Sequence, residues 1–173
     1  MDIITRMWMN VLQRLAGYAA PTNIRTSEVV VVPIGSYTIY RRILYWHNDE
    51  IFYYSNIRVV EMDVVAWICP ETYSTMIPIR FVGYVLDHDV YWCQETRIGT
   101  IDEFGRHLTF ISGSYYMTIS GVQRPIENLR GERVQNVLLF DRMFIPLRAV
   151  GEAFGHEPEW LGETRTALLH IRR

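Results

Sequence analysis

The sequence predicts an α+β fold of two tandem domains, each built from β-strands, one short α-helix and a closing β-hairpin. Three observations lead to this prediction: a repeat at an offset of 68 residues, short runs of β-branched and aromatic residues between turn formers, and a preceding amphipathic stripe. The predicted segments are an N-terminal amphipathic helix with its linker at 1–27, a first domain at 28–103 and a second domain at 104–173.

The composition indicates a folded chain without a strong electrostatic preference. Its 173 residues are 49% hydrophobic, and 17 basic against 19 acidic residues leave a formal net charge of −2. A nucleic-acid partner normally requires a basic face, so we expect none, and the same balance is poor for a polybasic membrane-surface role. Lysine is absent, which excludes Schiff-base and lysine-base chemistry.

No membrane span and no signal peptide are expected. The chain contains no run of the roughly 18–20 uninterrupted apolar residues that a spanning helix needs. At the N-terminus Asp2 precedes any positive charge, and Arg6 and Asn10 interrupt the apolar positions.

The two cysteines, Cys69 and Cys93, form neither a disulfide framework nor a zinc site. Their number favours two free buried thiols, and a single bridge in an oxidising compartment is the alternative.

Residues 3–16 are predicted to form one amphipathic helix that ends at Gly17, before Pro21. Polar side chains occupy one side, and apolar side chains recur at helical spacing on the other. Two interpretations stay open: the apolar side packs on its own domain, or it docks on a neighbouring subunit. The candidate partner interface, which we name the N-terminal stripe, consists of Ile4, Met7, Trp8, Val11, Leu12 and Leu15.

From residue 29 onward the sequence is typical of β-structure. Short runs rich in β-branched and aromatic residues are separated by Pro33, Gly35 and the Asn48-Asp49 pair, all turn formers. The predicted strands of this part are 29–32, 37–40, 43–46, 51–54 and 57–60.

The internal repeat is the most specific signal in the chain. Residues 77–101 and 145–169 are identical at ten of 25 positions, where composition alone would give roughly one or two. Upstream, Gly35 and Gly113 each begin a Gly-Ser-Tyr triplet. From that glycine to the Ile-Pro pair is 42 residues in the first copy and 32 in the second, so we expect a longer hairpin within 41–61.

Each Ile-Pro pair is predicted to start a short helix with Pro78 or Pro146 at its first position, where the missing N–H costs nothing. Gly83 and Gly151 fall within the apolar faces of these helices. A glycine there costs roughly 1 kcal/mol of helix propensity, so we expect close approach of helix to sheet as the compensation. Copies of about 70 residues are small for independent cores, and we therefore expect them to share an interface.

These motifs resemble the copper amine oxidase N-terminal-like domain of Gram-positive bacterial surface and secreted proteins. The resemblance rests on residues 62–64 with 77–82 in the first copy and on 144–155 with Glu159-Trp160 in the second, and it covers about residues 30–173. It implies that each copy is a twisted antiparallel β-sheet wrapped around one short α-helix.

The resemblance also implies a non-catalytic stalk, spacer, adhesion or assembly module that holds neither copper nor the quinone cofactor. The sequence has no Asn-Tyr-acid motif to mature into the quinone and no His-x-His pair to hold copper. We therefore expect no cofactor, no metal site and no enzymatic activity. Two departures from the family pattern are Asp87, which replaces the usual helix-ending glycine, and the insertion within 41–61.

Histidine lies beside carboxylates at the end of each predicted helix, in Asp87-His88-Asp89 and in His156-Glu157. Imidazole and carboxylate are ordinary metal ligands. We favour the alternative that each histidine interacts with the C-terminal end of the helix dipole while the acids are solvated.

Arginine and aromatic residues give weaker candidate sites. Arg80 and Arg148 fall in the first turn of a helix, where a cation is disfavoured, so each should have a specific partner, and Asp63 is the expected partner of Arg80. An anion-binding role is the alternative. Trp92 and Trp160 are expected to pack in the core rather than to stack on sugar rings. The tyrosines expected to be exposed are Tyr53, Tyr54, Tyr115 and Tyr116.

Two functions of different class follow. The first is a non-enzymatic structural or assembly protein: a subunit of an extracellular filament, surface layer or virus particle that self-associates or binds another structural protein. The second is a soluble cell-surface binding module for cell-wall glycan or another surface protein. Assembly through the N-terminal stripe predicts particles that disappear when residues 1–20 are deleted, whereas a glycan binder predicts a monomer retained on cell-wall material.

Overall fold

The computed structural model describes residues 24–103 and 105–172. The predicted N-terminal helix and the N-terminal stripe lie outside this part of the chain, so both stay predictions. The described part is mostly antiparallel β-structure with two short helices, which agrees with the predicted α+β class. Its elements in chain order are β1 (Arg25–Pro33), β2 (Thr38–His47), β3 (Glu50–Glu61), β4 (Trp67–Ile68), β5 (Thr75–Pro78), α1 (Ile79–Leu86), β6 (Asp89–Cys93), β7 (Ile98–Glu103), β8 (Arg106–Ile111), β9 (Tyr116–Ile119), β10 (Val122–Pro125), β11 (Val137–Leu139), β12 (Arg142–Pro146), α2 (Leu147–Ala153), β13 (Glu157–Leu161) and β14 (Thr166–Ile171).

The first hairpin is long, as the glycine spacing predicted. β2 and β3 have 10 and 12 residues, whereas β9 and β10 of the second repeat have 4 each. Asn48 and Asp49 form the turn with φ of 50° and 62°, a left-handed conformation that these two residue types tolerate. Each long strand joins two of the predicted runs, because 41–42 and 55–56 continue the extended backbone.

Each helix begins one residue after its proline. Pro78 and Pro146 have ψ of 129° and 122°, and the helices begin at Ile79 and Leu147. The prediction that proline occupies the first helical position is therefore wrong by one residue. The reason is that both prolines belong to the ladder joining β5 to β12, which keeps their backbone extended. Neither described helix has the length and apolar character needed to cross a membrane.

The strands form three sheets, and the closing hairpin of each repeat joins the other repeat. The sheets have the orders β13-β14-β1-β2-β3, β10-β9-β8-β7-β6 and β11-β12-β5-β4. The hairpin β13–β14 of the second repeat thus lies beside β1, and β6–β7 of the first repeat lies beside β8. Strand pairing crosses the predicted boundary between residues 103 and 104, and the division into two separate domains stays a prediction.

The short central sheet relates the two repeats by a local two-fold axis. Ile77 of β5 pairs with Ile145 of β12, and these are equivalent positions of the repeat. The flanking pairs, Pro78 with Phe144 and Met76 with Pro146, exchange with each other under the same rotation. Ile77 and Ile145 are both fully buried, so the axis passes through the centre of the molecule.

Both repeats bury their apolar side chains in one hydrophobic core, in agreement with the expected shared interface. Val82 of α1 and Val150 of α2 belong to this cluster, together with Val30 of β1, Ile39 of β2 and Leu169 of β14. Residues from the first and last described strands therefore contact the same core. At about 25 cal/mol per Å² of apolar area, such burial is the dominant favourable contribution to folding.

The two helix glycines allow the close approach that the sequence predicted. A Cβ at Gly83 would lie 2.1 Å from Val90 Cγ2 and 2.9 Å from the backbone oxygen of His88. A Cβ at Gly151 would lie 2.2 Å from Leu169 Cδ1. The glycine carbonyls also accept hydrogen bonds from the backbone N–H of His88 (2.9 Å) and His156 (2.7 Å), which ends each helix in the same way.

Replacement of Gly83 by Ala should lower the free energy of unfolding by about 1–3 kcal/mol, because overpacking outweighs the gain of roughly 1 kcal/mol in helix propensity. Gly151→Ala should lower it by less, since only the side chain of Leu169 must move. Urea unfolding measures both changes, with the exposed Arg80→Ala as the control in the same helix. A Gly83→Ala variant as stable as the parent would contradict the close approach.

Candidate functional site

A surface cleft of about 310 Å³ lies where the loops of both repeats meet the start of α2 and strand β13. Tyr73 comes from the loop before β5, and Leu129 and Arg130 come from the loop after β10. Arg148 of α2 and Trp160 of β13 complete the wall. The cleft combines exposed aromatic and apolar surface with two guanidinium groups, a composition suited to binding a ligand with both apolar and polar faces.

The loops around the cleft are held together by one asparagine. Asn128 Nδ2 donates to the carbonyl oxygen of Thr72 at 2.8 Å, which ties the loop of the second repeat to that of the first. Asn128 Oδ1 accepts from the backbone N–H of Arg130 at 2.8 Å. The guanidinium carbon of Arg130 lies 5.3 Å from the centroid of the Tyr73 ring, so the two loop tips also contact each other.

The two tryptophans are exposed, so the prediction that they pack in the core is wrong. Trp92 is 38% exposed and Trp160 is 44% exposed. Both lie on the outer strand of a closing hairpin, opposite the small residues Gly99 and Ala167. A Cβ added at Gly99 would lie 3.7 Å from Trp92 Cε3, so that indole packs beside its small partner. Trp160 lines the cleft, whereas Trp92 lies outside it.

The tyrosine predictions are mostly confirmed. Tyr54, Tyr115 and Tyr116 are exposed, whereas Tyr53 is half-buried with its ring centroid 5.3 Å from that of Tyr45. The sequence analysis missed Tyr73, which is 69% exposed. Its φ of 53° in the loop before β5 is a tertiary feature, and no periodic pattern marks this residue.

An apolar edge strand is the second exposed surface of note. Among the described strands, β3 is the outermost of the sheet β13-β14-β1-β2-β3 and pairs with β2 alone. Two register shifts interrupt its pairing with β2. Its exposed apolar residues are Ile51, Phe52, Tyr54, Ile57 and Val59.

The prediction that Asp63 is the partner of Arg80 is wrong. Asp63 pairs with Arg142, whose Nε donates to Asp63 Oδ2 at 2.9 Å and whose Nη2 donates to the same oxygen. These hydrogen bonds hold the pKa of Asp63 below its usual range. Arg80 lies over the ring of Phe81 at 6.0 Å instead. The pairing depends on β12 lying beside β5, which the spacing of residues 63 and 142 does not reveal.

Arg148 has the internal partner that its position required. Its Nη1 donates to Glu152 Oε1 at 3.0 Å, one turn along α2. This pair is partly exposed, so it contributes little to stability. It does fix the guanidinium beside the cleft.

The two cysteines are free, but neither is buried. Cys69 is half-buried, with its Sγ 3.0 Å from Glu71 Oε2, and Cys93 is exposed. The expectation of free thiols is confirmed and the expectation of burial is wrong. Cys93 ends the outer strand β6, which the sequence did not identify as a sheet edge.

The side chains of the two repeat histidines are buried near one aromatic ring. The rings of His88 and His156 lie 4.9 and 6.4 Å from the ring of Phe154. His88 Nε2 lies 3.5 Å from Glu103 Oε1, and His156 Nδ1 accepts from the backbone N–H of Arg172 at 3.4 Å. In the described ranges, no group of three or more His, Cys, Asp and Glu side chains is placed to hold a metal ion.

Burial lowers the pKa of His88 and of His156, which the nearby carboxylate of Glu103 only partly offsets. A lowered pKa favours the neutral imidazole. The expected interaction of each histidine with the C-terminal end of the helix dipole is therefore corrected, because His88 and His156 are two buried, neutral side chains. Asp89, directly after His88, is exposed, as the expectation of solvated acids required. Asp87 instead pairs with Arg41 at 2.7 Å.

Stability should fall as the pH falls below 6.5, the ordinary pKa of histidine. Below that pH the unfolded chain binds protons that the folded chain resists, so the free energy of unfolding decreases until the lowered folded-state pKa is reached. Melting temperatures between pH 7.5 and 5 measure this, and a His88→Gln/His156→Gln variant should show a flatter profile. The control is His107→Gln, whose side chain is 55% exposed. An unchanged slope in the double variant would contradict the assignment.

Comparison with known proteins supports one family. A sequence model of the copper amine oxidase N-terminal domain matches residues 54–169 as one continuous stretch, from β3 to β14. No curated protein and no solved structure matches the chain. The N-terminal domain of copper amine oxidase is non-catalytic. Since the match covers more than half of the 173 residues, the chain belongs to the copper amine oxidase N-terminal domain family.

Proposed function

We propose that this protein is a non-enzymatic structural or assembly subunit that self-associates through edge strand β3. The observation that carries the proposal is the 12-residue length of this edge, with apolar side chains that are 42–51% exposed. An edge strand presents unpaired backbone N–H and C=O groups, and a second strand can add to them. An extracellular filament, surface layer or virus particle is the setting we propose for such a subunit.

Two other sheet edges, at β10 and β13, are short and contain proline. Natural edges are usually short or carry Pro or charged residues that prevent pairing. β10 has four residues and ends at Pro125, and β13 has five residues with Pro158 between two glutamates. β3 contains no proline, and its single basic residue, Arg58, is 41% exposed and pairs with the carboxylate of Asp87 and the carbonyl oxygen of Tyr84. Within residues 24–103 and 105–172, no strand pairs with the outer side of β3.

A charge placed on this edge should weaken self-association. Val59→Lys should raise the concentration at which the 20.4 kDa chain associates by about tenfold, because a lysine disfavours strand addition. Light scattering over a concentration series, with negative-stain images, measures the effect. The matched control is Val122→Lys on β10, since Val59 and Val122 are 49% and 53% exposed. A parent protein that stays monomeric at every concentration would overturn the proposal.

A cell-surface module that binds cell-wall glycan is the second candidate function, and the cleft beside Trp160 favours it. Sugar rings stack on exposed aromatic faces while their hydroxyls bond to polar groups. Trp160 and Tyr73 supply the aromatic faces here, and Arg130 and Arg148 supply the donors. This function requires no assembly.

Glycan binding is testable with the two equivalent tryptophans. If the cleft binds glycan, Trp160→Ala should weaken retention on insoluble peptidoglycan roughly tenfold, because it removes the stacking face. Trp92→Ala is the matched control, since Trp92 has the equivalent position in the first repeat and lies outside the cleft. Equal retention of both variants, or none by the parent, excludes this candidate.

A further inference from the structure

A long loop of the second repeat forms one wall of the surface cleft. It joins β10 to β11 and spans 126–136, whereas the equivalent loop of the first repeat, from β3 to β4, spans 62–66. Its ends are anchored in the core by Ile126 and Val134, which are 0% and 2% exposed. The backbone N–H of Val134 donates to the carbonyl oxygen of Ile126 at 2.9 Å, so the two ends lie side by side. The cleft therefore owes this wall to residues that the first repeat lacks.

The tip of the loop presents Arg130 to the cleft on a fixed backbone. Asn128 Oδ1 accepts from the backbone N–H of Arg130 at 2.8 Å and from that of Glu132 at 3.0 Å. The backbone N–H of Asn128 donates to the carbonyl oxygen of Glu132 at 3.0 Å, and Gly131 supplies the φ of 76° that the turn requires. A side chain carried on such a backbone loses less freedom when a ligand binds, which favours affinity.

The two carboxylates that line the cleft are engaged by other side chains. Glu127 Oε1 lies 3.4 Å from Arg133 Nε, and Glu159 Oε2 lies 2.6 Å from His170 Nε2. In the described part of the chain, neither carboxylate pairs with an arginine that lines the cleft.

Arg130 keeps its charge for a ligand. Its guanidinium carbon lies 5.3 Å from the Tyr73 ring centroid, and among the described residues it has no carboxylate within ion-pair distance. Arg148, by contrast, pairs with Glu152 at 3.0 Å. Contact with a ring leaves the N–H groups of a guanidinium available, and a guanidinium binds a carboxylate through two parallel hydrogen bonds. The cleft therefore offers a free guanidinium to an anionic group.

We propose that the cleft binds a sugar that carries a carboxylate, with the sugar ring on the indole of Trp160 and the carboxylate on Arg130. Selectivity for an acidic sugar rests on the glycan-binding function proposed for the cleft and narrows it to one class of glycan. Trp160 is 44% exposed, and Ala167 and Leu168 extend the apolar lining beside it. At about 310 Å³ the cleft is near the lower limit of ligand pockets, which suits a short saccharide.

A matched pair of sugars tests the proposal. N-acetylmuramic acid differs from N-acetylglucosamine by a lactyl ether, which carries the carboxylate. Titration of the isotope-labelled full-length chain, followed by NMR through the indole N–H signal of Trp160, gives the Kd of each sugar, and Trp160→Phe identifies the signal. We expect the acidic sugar to bind about tenfold more tightly, because its carboxylate adds a charge-assisted contact with Arg130.

Two arginine variants locate the contact. Arg130→Gln should remove the preference for the acidic sugar and leave the Kd of N-acetylglucosamine unchanged. The matched control is Arg124→Gln, an exposed arginine of β10 outside the cleft, which should keep the preference of the parent. An Arg130→Gln variant that keeps the full preference would overturn the assignment of the carboxylate to Arg130.

The remaining outcomes separate this proposal from glycan binding in general. Equal Kd values for the two sugars in the parent would overturn the acidic preference while glycan binding stands, and no response to either sugar would overturn both. Lactate carries the same carboxylate without the ring and should bind about tenfold more weakly than N-acetylmuramic acid. Equal binding of lactate and N-acetylmuramic acid would reveal an anion site that uses no sugar ring, which also contradicts the proposal.

Discussion

The antiparallel pairing of Ile77 with Ile145 is the contact on which the rest of this structure depends. Because the paired residues are equivalent positions of the repeat, the ladder between β5 and β12 places a two-fold axis at the centre of the core. Each helix begins directly after a strand of this ladder, α1 after β5 and α2 after β12, so the position of the strand sets where the helix begins. The closing hairpin after each helix then reaches the strands of the other repeat, so each five-stranded sheet contains strands from both.

This exchange of hairpins has a consequence for stability. Removing one repeat would leave sheet edges with unpaired backbone N–H and C=O groups and would expose the apolar face of the core. We therefore infer that the two repeats fold as one unit. The buried histidines fit the same arrangement, since His88 and His156 belong to different repeats and contact one phenylalanine. The pH dependence of stability therefore reports on the contact between the repeats.

The two-fold axis relates the cores but not the surfaces, and the proposed functions depend on the differences. The insertion in the first repeat lengthens β2 and β3, so the edge at β3 is long and apolar while the edge at β10 is short. Trp92 and Trp160 are equivalent in sequence, yet Trp160 lines the cleft and Trp92 lies outside it. Surface loops tolerate insertion because they carry few buried contacts, which is why new binding surfaces arise there.

The sequence by itself determined the internal repeat and the features that depend on near neighbours: the helices after each Ile-Pro pair, the turn at Asn48-Asp49 and the glycines at close contacts. The latter follow from backbone preferences and short-range periodicity, which a short window of the chain shows. Only the tertiary structure decided which strands pair, and with that the partner of Asp63, the exposure of the tryptophans and the burial of the histidines. Those outcomes depend on residues far apart in the chain, and spacing along the sequence carries no record of which distant strand supplies the neighbour.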